Sequence, residues 1–155
     1  MPAVTPLPPA GLAALLRGAG LRVTATRLAV LAEVTEGEHM TADQVALGVR
    51  TGIGTISTQG VYDVLGALAR AGLVRRVEPA GSAARYETRV ADNHHHVVCR
   101  SCGAITDVDC VVGEPPCLSP ADAGGFVIDE AEVTFWGLCP ACQTPSTSDE
   151  KEHAR

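Results

Sequence analysis

The chain has 155 residues, 46% of them hydrophobic and 3% aromatic, and a net charge of −6. That length holds one ordinary domain or two small ones, with cores built of Leu, Val and Ala in place of aromatic rings. No apolar run approaches the roughly 18 residues of a membrane-spanning helix, the proline-rich start lacks a basic-then-apolar export pattern, and the acidic balance excludes indiscriminate affinity for nucleic acid.

The expected location is therefore the cytoplasm. The charge is also unevenly spread. Residues 1–88 carry eight arginines against seven acidic groups, whereas residues 89–155 carry four basic groups against eleven acidic ones. A few arginines focused on one surface suffice to hold DNA, so any DNA-facing part belongs to the first half.

Residues 1–10, with Pro2, Pro6, Pro8 and Pro9, predict a flexible tail. Leu12, Leu15, Leu16 and Ala19 then recur at helical spacing, and Gly20 ends that segment. Thr24 is the expected N-cap of a second helix running to about Val34, with Leu28, Leu31 and Val34 on one face and Gly37 closing it. Thr41 starts a third helix (Ala42, Val45, Ala46, Val49) that stops near Gly52 and Gly54. Ser57 caps a fourth, whose inward stripe is Val61, Val64, Leu65 and Leu68 and whose end is Gly72.

Segments 73–78 and 84–88, joined by Pro79-Ala80-Gly81-Ser82, carry a hairpin signal. Helices followed by a hairpin is the order of a winged helix-turn-helix, with residues 41–50 and 57–71 as the helix pair and the second as the recognition helix. Ser57, Thr58, Gln59 and Tyr62 lie near its N-terminal end, where side chains reach base edges or phosphates. Arg75, Arg76 and Arg85 sit in or beside the wing as candidate phosphate contacts. An amphipathic helical subdomain with no DNA role fits the same periodicity.

Beyond Arg89 the character changes. Residues 94–99, 104–109 and 132–137 are rich in Val, Ile and Thr and predict strands, while Pro115, Pro116 and Pro120 keep any helix in 111–125 brief. The polar, charged end at 144–155 is expected to fray. The fold class is thus α+β, an N-terminal winged helix-turn-helix followed by a small α/β domain.

That second domain carries the most specific motifs. Cys99-Arg100-Ser101-Cys102 and Cys139-Pro140-Ala141-Cys142 are separated by 36 residues. Two such pairs on one chain match the halves of a tetrahedral, closed Zn(II) site, structural in character because four thiolates leave no open position. The ion would tie strand 94–99 to strand 132–137 and couple folding to metal. Oxidation of the same thiolates would open the clamp, which is the redox alternative. Cys110 and Cys117 are expected to be small buried side chains.

Period two in a strand projects His94 and His96 from one face, and His95 and Cys99 from the other. His94 and His96 can therefore chelate a second ion, with Glu87, Asp107 and His39 as further candidates. Mixed imidazole and carboxylate donors suit Fe(II), Mn(II) or Zn(II). Taken alone, His39 reads more often as a solvated loop residue than as a ligand. A zinc hydrolase or deaminase has little support, because Val97-Val98 follows His96 where a His-x-Glu proton shuttle is expected. A non-catalytic zinc interaction module would explain the cysteines but neither the histidine pair nor the winged-helix pattern.

These motifs in sequence resemble the ferric uptake regulator family of metal-dependent repressors. The resemblance spans about residues 12–143. It rests on Gly20-Leu21-Arg22-Val23-Thr24 with Arg27, on Ser57-Thr58-Gln59-Gly60-Val61-Tyr62 leading to Gly72-Leu73-Val74, on His94 to Gly103 with its first cysteine pair, and on Gly137 to Cys142. Asp92-Asn93-His94-His95-His96 and the Cys110–Cys117 segment are most similar to the catalase-linked, peroxide-responsive branch.

The resemblance implies a non-enzymatic, homodimeric repressor acting on a palindromic double-stranded operator. Its domains would be a winged helix at 11–88, a hinge at 89–91 and a dimerisation and metal-binding domain at 92–143, with one structural Zn(II) per subunit. It implies a regulatory Fe(II) or Mn(II), with Zn(II) as the alternative, held by His39, Glu87, His94, His96 and Asp107. Asp at position 107 matches peroxide sensors, where iron-sensing relatives more often carry Glu. Peroxide would oxidise a ligand imidazole, His39 or His94, and release DNA. The alternative inputs are iron or zinc availability, or the zinc thiols themselves.

DNA contacts are implied for Arg22, Ser57, Thr58, Gln59, Tyr62, Arg75 and Arg76. Two departures stand out. Asp63 follows the recognition-helix Tyr62 where many relatives carry Arg, and Ala131 replaces a third-site histidine, leaving only Glu114 and His95 for a partial third site.

Overall fold

The computed structural model describes residues 8–110, 118–129 and 131–143. The chain divides into two compact units, Met1–Asp92 and Asn93–Arg155.

The first unit has four helices and a small sheet; the helices are α1 (Pro9–Gly18), α2 (Ala25–Glu36), α3 (Ala42–Ile53) and α4 (Thr58–Arg70). Each start has a local cause. Pro9 opens α1 inside the stretch expected to be a tail, because a proline in the first turn forfeits no hydrogen bond. Thr24 Oγ1 accepts from the Arg27 N–H at 3.2 Å, and Ser57 Oγ from the Gly60 N–H at 3.0 Å. Thr41 and Gln44 form a reciprocal capping box of 3.3 and 2.8 Å. The stop of α4 is a Schellman turn: Gly72, at φ +69°, donates to the Ala69 carbonyl and Leu73 to that of Leu68.

Helical periodicity then delivers one core. Leu12 and Leu16 of α1, Val30, Leu31 and Val34 of α2, Ala42, Val45, Ala46 and Val49 of α3, and Val61, Leu65 and Leu68 of α4 are buried together. The stripe on α1 is narrower than its sequence implies, since Leu15 is 42% exposed; Leu28 and Val64 are half-buried.

The hairpin is present as β2 (Arg75–Val77) and β3 (Arg85–Glu87), shorter at both ends than expected. A third strand, β1 (Met40–Thr41), joins it in the order β1-β3-β2, all antiparallel. Two residues ahead of a capping box carry no period-two signal, so this strand was not legible.

The second unit has β4 (His94–Cys99), β5 (Ile105–Asp109), β6 (Thr134–Gly137) and a short helix α5 (Pro140–Gln143). The central strand β4 runs antiparallel to β5 and parallel to β6. The strands that the cysteine ion was expected to tie together are thus also joined by backbone hydrogen bonds. Cys110 is half-buried, not buried; its N–H donates to the Asn93 carbonyl at 3.2 Å. Cys117, Glu114 and, beyond Pro8, the residues of the expected tails lie outside the described residues.

Candidate metal centres and DNA-facing elements

The cysteine centre follows from the sheet register. Cys99, the last residue of β4, pairs with Gly137 at the end of β6, which brings Cys139 alongside. Each Cys-x-x-Cys closes as a turn: Gly103 donates to the Cys99 carbonyl at 3.0 Å, and Cys142 to the Cys139 carbonyl at 2.9 Å. Gly103 sits at φ +72°, a conformation that a side chain would oppose.

The four Sγ atoms lie within 4.8 Å of one another, and Cys102 Sγ is 3.7 Å from Cys139 Sγ. Thiolates about 2.3 Å from one tetrahedral Zn(II) stand about 3.8 Å apart, so the donor set fits that ion. Electrostatics agree. Backbone N–H groups of Cys102 and then Cys139 lower the Cys99 thiol to about 6, against burial. At Cys142 the Ser101 hydroxyl pulls down, but the Cys139 and Cys102 thiols outweigh it and push the group up to about 11. Crowded thiols cannot all lose their protons without a cation between them.

On β4, His94 and His96 share a face, with ring centroids 5.0 Å apart. His96 pairs in register with Asp107 on β5. Both imidazoles address the same carboxylate oxygen: Asp107 Oδ1 lies 3.4 Å from His96 Nε2 and 3.8 Å from His94 Nε2. Ligand atoms about 2.0–2.1 Å from one tetrahedral ion stand about 3.4 Å apart, the spacing of His96 and Asp107, with His94 slightly wider. His95 points to the other face, edge-on to Phe135 at 6.3 Å.

In the first unit, the overlooked strand β1 assembles the remaining candidates. The Met40–Tyr86 pairing puts His39 next to Glu87, with His39 Nε2 2.8 Å from Glu87 Oε2 and both residues buried. His39 adopts φ +57°, and its carbonyl accepts from Arg85 Nη1 at 3.2 Å. A non-glycine residue in the left-handed region is tolerated where surrounding bonds hold it, and such positions gather at functional sites. The structure therefore treats His39 as a fixed side chain and not a solvated loop histidine.

The expected DNA-facing residues gather at the N-terminal end of α4. Ser57, Thr58 and Gln59 are exposed, as is Tyr62 at 46%. Arg50, which sequence reasoning passed over, locks the preceding turn: its Nε donates to the Ile56 carbonyl at 3.1 Å and its Nη2 to Thr58 Oγ1 at 3.2 Å. The signal was a basic residue in the last turn of α3. Arg22 is exposed at the foot of α2, its carbonyl accepting from Arg27 Nη1 at 2.8 Å. In the wing, Arg76 grips both oxygens of Glu78 at 2.8 and 2.6 Å, and Arg75 stands opposite Glu87 in register.

Comparison with known proteins agrees with this architecture. The model of the ferric uptake regulator family matches residues 18–132. The chain is 57% identical over 133 residues to transcriptional regulator FurA of Mycobacterium tuberculosis, covering 86% of this chain and 90% of that protein. It is 63% identical over 122 residues to ferric uptake regulation protein 1 of Mycolicibacterium fortuitum, covering 79% and 76%. A structure of the ferric uptake regulator from Pseudomonas aeruginosa with manganese superposes with a TM-score of 0.61 at 25% identity, over 83% of this chain and 98% of that one. Among the described residues no helix is long and apolar enough to cross a membrane. With its winged helix, its four-cysteine domain and these relatives, the chain belongs to the ferric uptake regulator family: it is a metal-dependent transcriptional regulator of a DNA-binding, homodimeric kind, and not an enzyme.

Proposed function

We propose that the protein is a peroxide-sensing repressor that acts in the cytoplasm, binds a palindromic operator as a homodimer and controls oxidative-stress genes, a catalase gene among them. The observation that carries this reading is the convergence of His94 and His96 on the short carboxylate of Asp107, the residue that aligns the chain with peroxide sensors.

In this reading one Zn(II) per subunit sits among Cys99, Cys102, Cys139 and Cys142 and holds the sheet. A regulatory Fe(II) or Mn(II) takes His39 and Glu87 from the winged-helix domain at 11–88, and His94, His96 and Asp107 from the dimerisation domain at 92–143. Residues 89–91 act as the hinge that this ion fixes. Bound Fe(II) supplies the redox chemistry with peroxide; Mn(II) does not. The protein's part is to hold the imidazoles. Glu87 and Asp107 stand beside these imidazoles as carboxylate co-ligands, and oxygen added to His39 or His94 would remove a donor lone pair and free the hinge.

Ser57, Thr58, Gln59 and Tyr62 then meet the major groove, while Arg22, Arg75 and Arg76 hold phosphates. Exposed Phe126, Val127 and Phe135 offer apolar surface for the dimer contact.

The test is operator binding by protein loaded with Fe(II) or Mn(II), before and after peroxide. The reading expects binding with either ion and peroxide-induced release with Fe(II) alone. Release from both, with zinc loss and cysteine disulfides, would assign the sensing to the thiols. Binding that follows iron or zinc supply and ignores peroxide would make the protein a sensor of metal availability.

A further inference from the structure

Asp63 has no evident place in a DNA-binding surface, because a carboxylate on a helix facing phosphates is repelled by them. It stands one turn beyond Gln59 on α4, and the two are joined: Gln59 Nε2 donates to Asp63 Oδ1 at 2.8 Å. We propose that Asp63 is a specificity-determining positioning residue, which fixes the Gln59 amide so that Gln59 reads one adenine in each operator half-site. The inference rests on the proposed docking of the N-terminal end of α4 against the major groove.

The amide of a glutamine can face either way, and an ionised carboxylate only accepts hydrogen bonds. Asp63 therefore admits only the orientation with Nε2 towards itself. Gln59 is left with its Oε1 acceptor and the second Nε2 hydrogen. That pair complements the N6 donor and N7 acceptor of adenine, and it mismatches guanine, which offers acceptors at both places.

The neighbouring polar groups are committed elsewhere. Ser57 Oγ accepts the Gly60 N–H of the helix start, and Thr58 Oγ1 accepts from Arg50. Their hydroxyls are suited to phosphates, which positions the protein without selecting a base. Gln59 is thus the amide on this turn able to discriminate bases, and Asp63 sets which base it selects.

The test uses full-length Mn(II)-loaded protein and a palindromic duplex selected by that protein from a randomised DNA library. Each adenine of the half-site is replaced in turn by 7-deazaadenine, which lacks the N7 acceptor, or by guanine. At one position the wild type should lose affinity by about tenfold or more. Gln59→Ala should lose that discrimination. Asp63→Ala should lose it as well, while Asp63→Asn, whose amide can donate to Gln59 Oε1 as readily as it accepts from Nε2, should admit both orientations and weaken it. Both Asp63 variants should bind the guanine-substituted duplex more tightly than the wild type does at low salt, since each removes a repulsive charge.

Full discrimination in Asp63→Ala would overturn the proposal, and so would full discrimination in Asp63→Asn. If Gln59→Ala binds and discriminates like the wild type, the docking of α4 fails, an outcome distinct from failure of the Asp63–Gln59 pairing. Circular dichroism of each variant guards against misfolding; Asp63→Asn, isosteric and on an exposed face, keeps the test decisive.

Discussion

Removing zinc should unfold the second unit and leave the first standing. The residues of the main hydrophobic core all lie in the first unit, whereas in the second the buried hydrophobic residues described are Val98 and Cys99. Burying one valine stabilises by about 2 kcal/mol. A four-thiolate zinc site contributes about 10–16 kcal/mol of apparent binding energy, which appears as folding energy where no site pre-exists. A whole domain is typically stable by about 5–15 kcal/mol. Loss of the ion therefore exceeds what the remaining contacts of β4, β5 and β6 can supply.

The assay is titration with a zinc chelator, followed by far-ultraviolet circular dichroism and by the emission of Trp136, the single tryptophan, in β6 beside the cysteine turn. The Arg100 guanidinium stacks over its ring at 5.3 Å. Chelation should shift the emission to the red as that stack dissolves, while the helical signal of α1 to α4 persists. Cys139→Ala should reproduce this without chelator. Native Trp136 emission in protein shown to be zinc-free and fully thiol-reactive would refute the reasoning.

Three further outcomes are expected. His39→Ala and Glu87→Ala should each abolish metal-dependent operator binding; unchanged operator affinity, measured by anisotropy, would sink the hinge assignment. Zinc affinity should weaken on acidification, because the thiols of the unfolded second unit hold their protons and binding must release them, measured by competition with a chelator across the pH range. Leu65→Ala, fully buried in α4, should destabilise the first unit by about 2–5 kcal/mol, visible in denaturant unfolding followed at the helical signal.

What the sequence made legible was whatever depends on local pattern. Caps at Thr24, Thr41 and Ser57 and the inward positions of α3 could be read because a hydroxyl three residues ahead of an N–H, or apolar residues three and four apart, have one structural meaning. The cysteine turns were legible for the same reason. Pairings between distant segments were not. Nothing local to Met40–Thr41 marks it as the strand that sets His39 beside Glu87, and period two is silent on whether β6 lies next to β4 or runs parallel to it. Leu15 fits the helical stripe of α1, yet it is 42% exposed while Leu12 and Leu16 are buried in the core. Asp63 read as a lost contact until its hydrogen bond to Gln59 gave it a partner.

The most direct measurement of the central claim is peptide mass spectrometry after one equivalent of peroxide is added to the Fe(II)-loaded, zinc-replete protein. The account predicts one added oxygen on the peptide containing His39 or the one containing His94, rising in step with loss of operator binding and missing from the Mn(II)-loaded control. Operator release with unmodified histidines and a disulfide among Cys99, Cys102, Cys139 and Cys142 would contradict it.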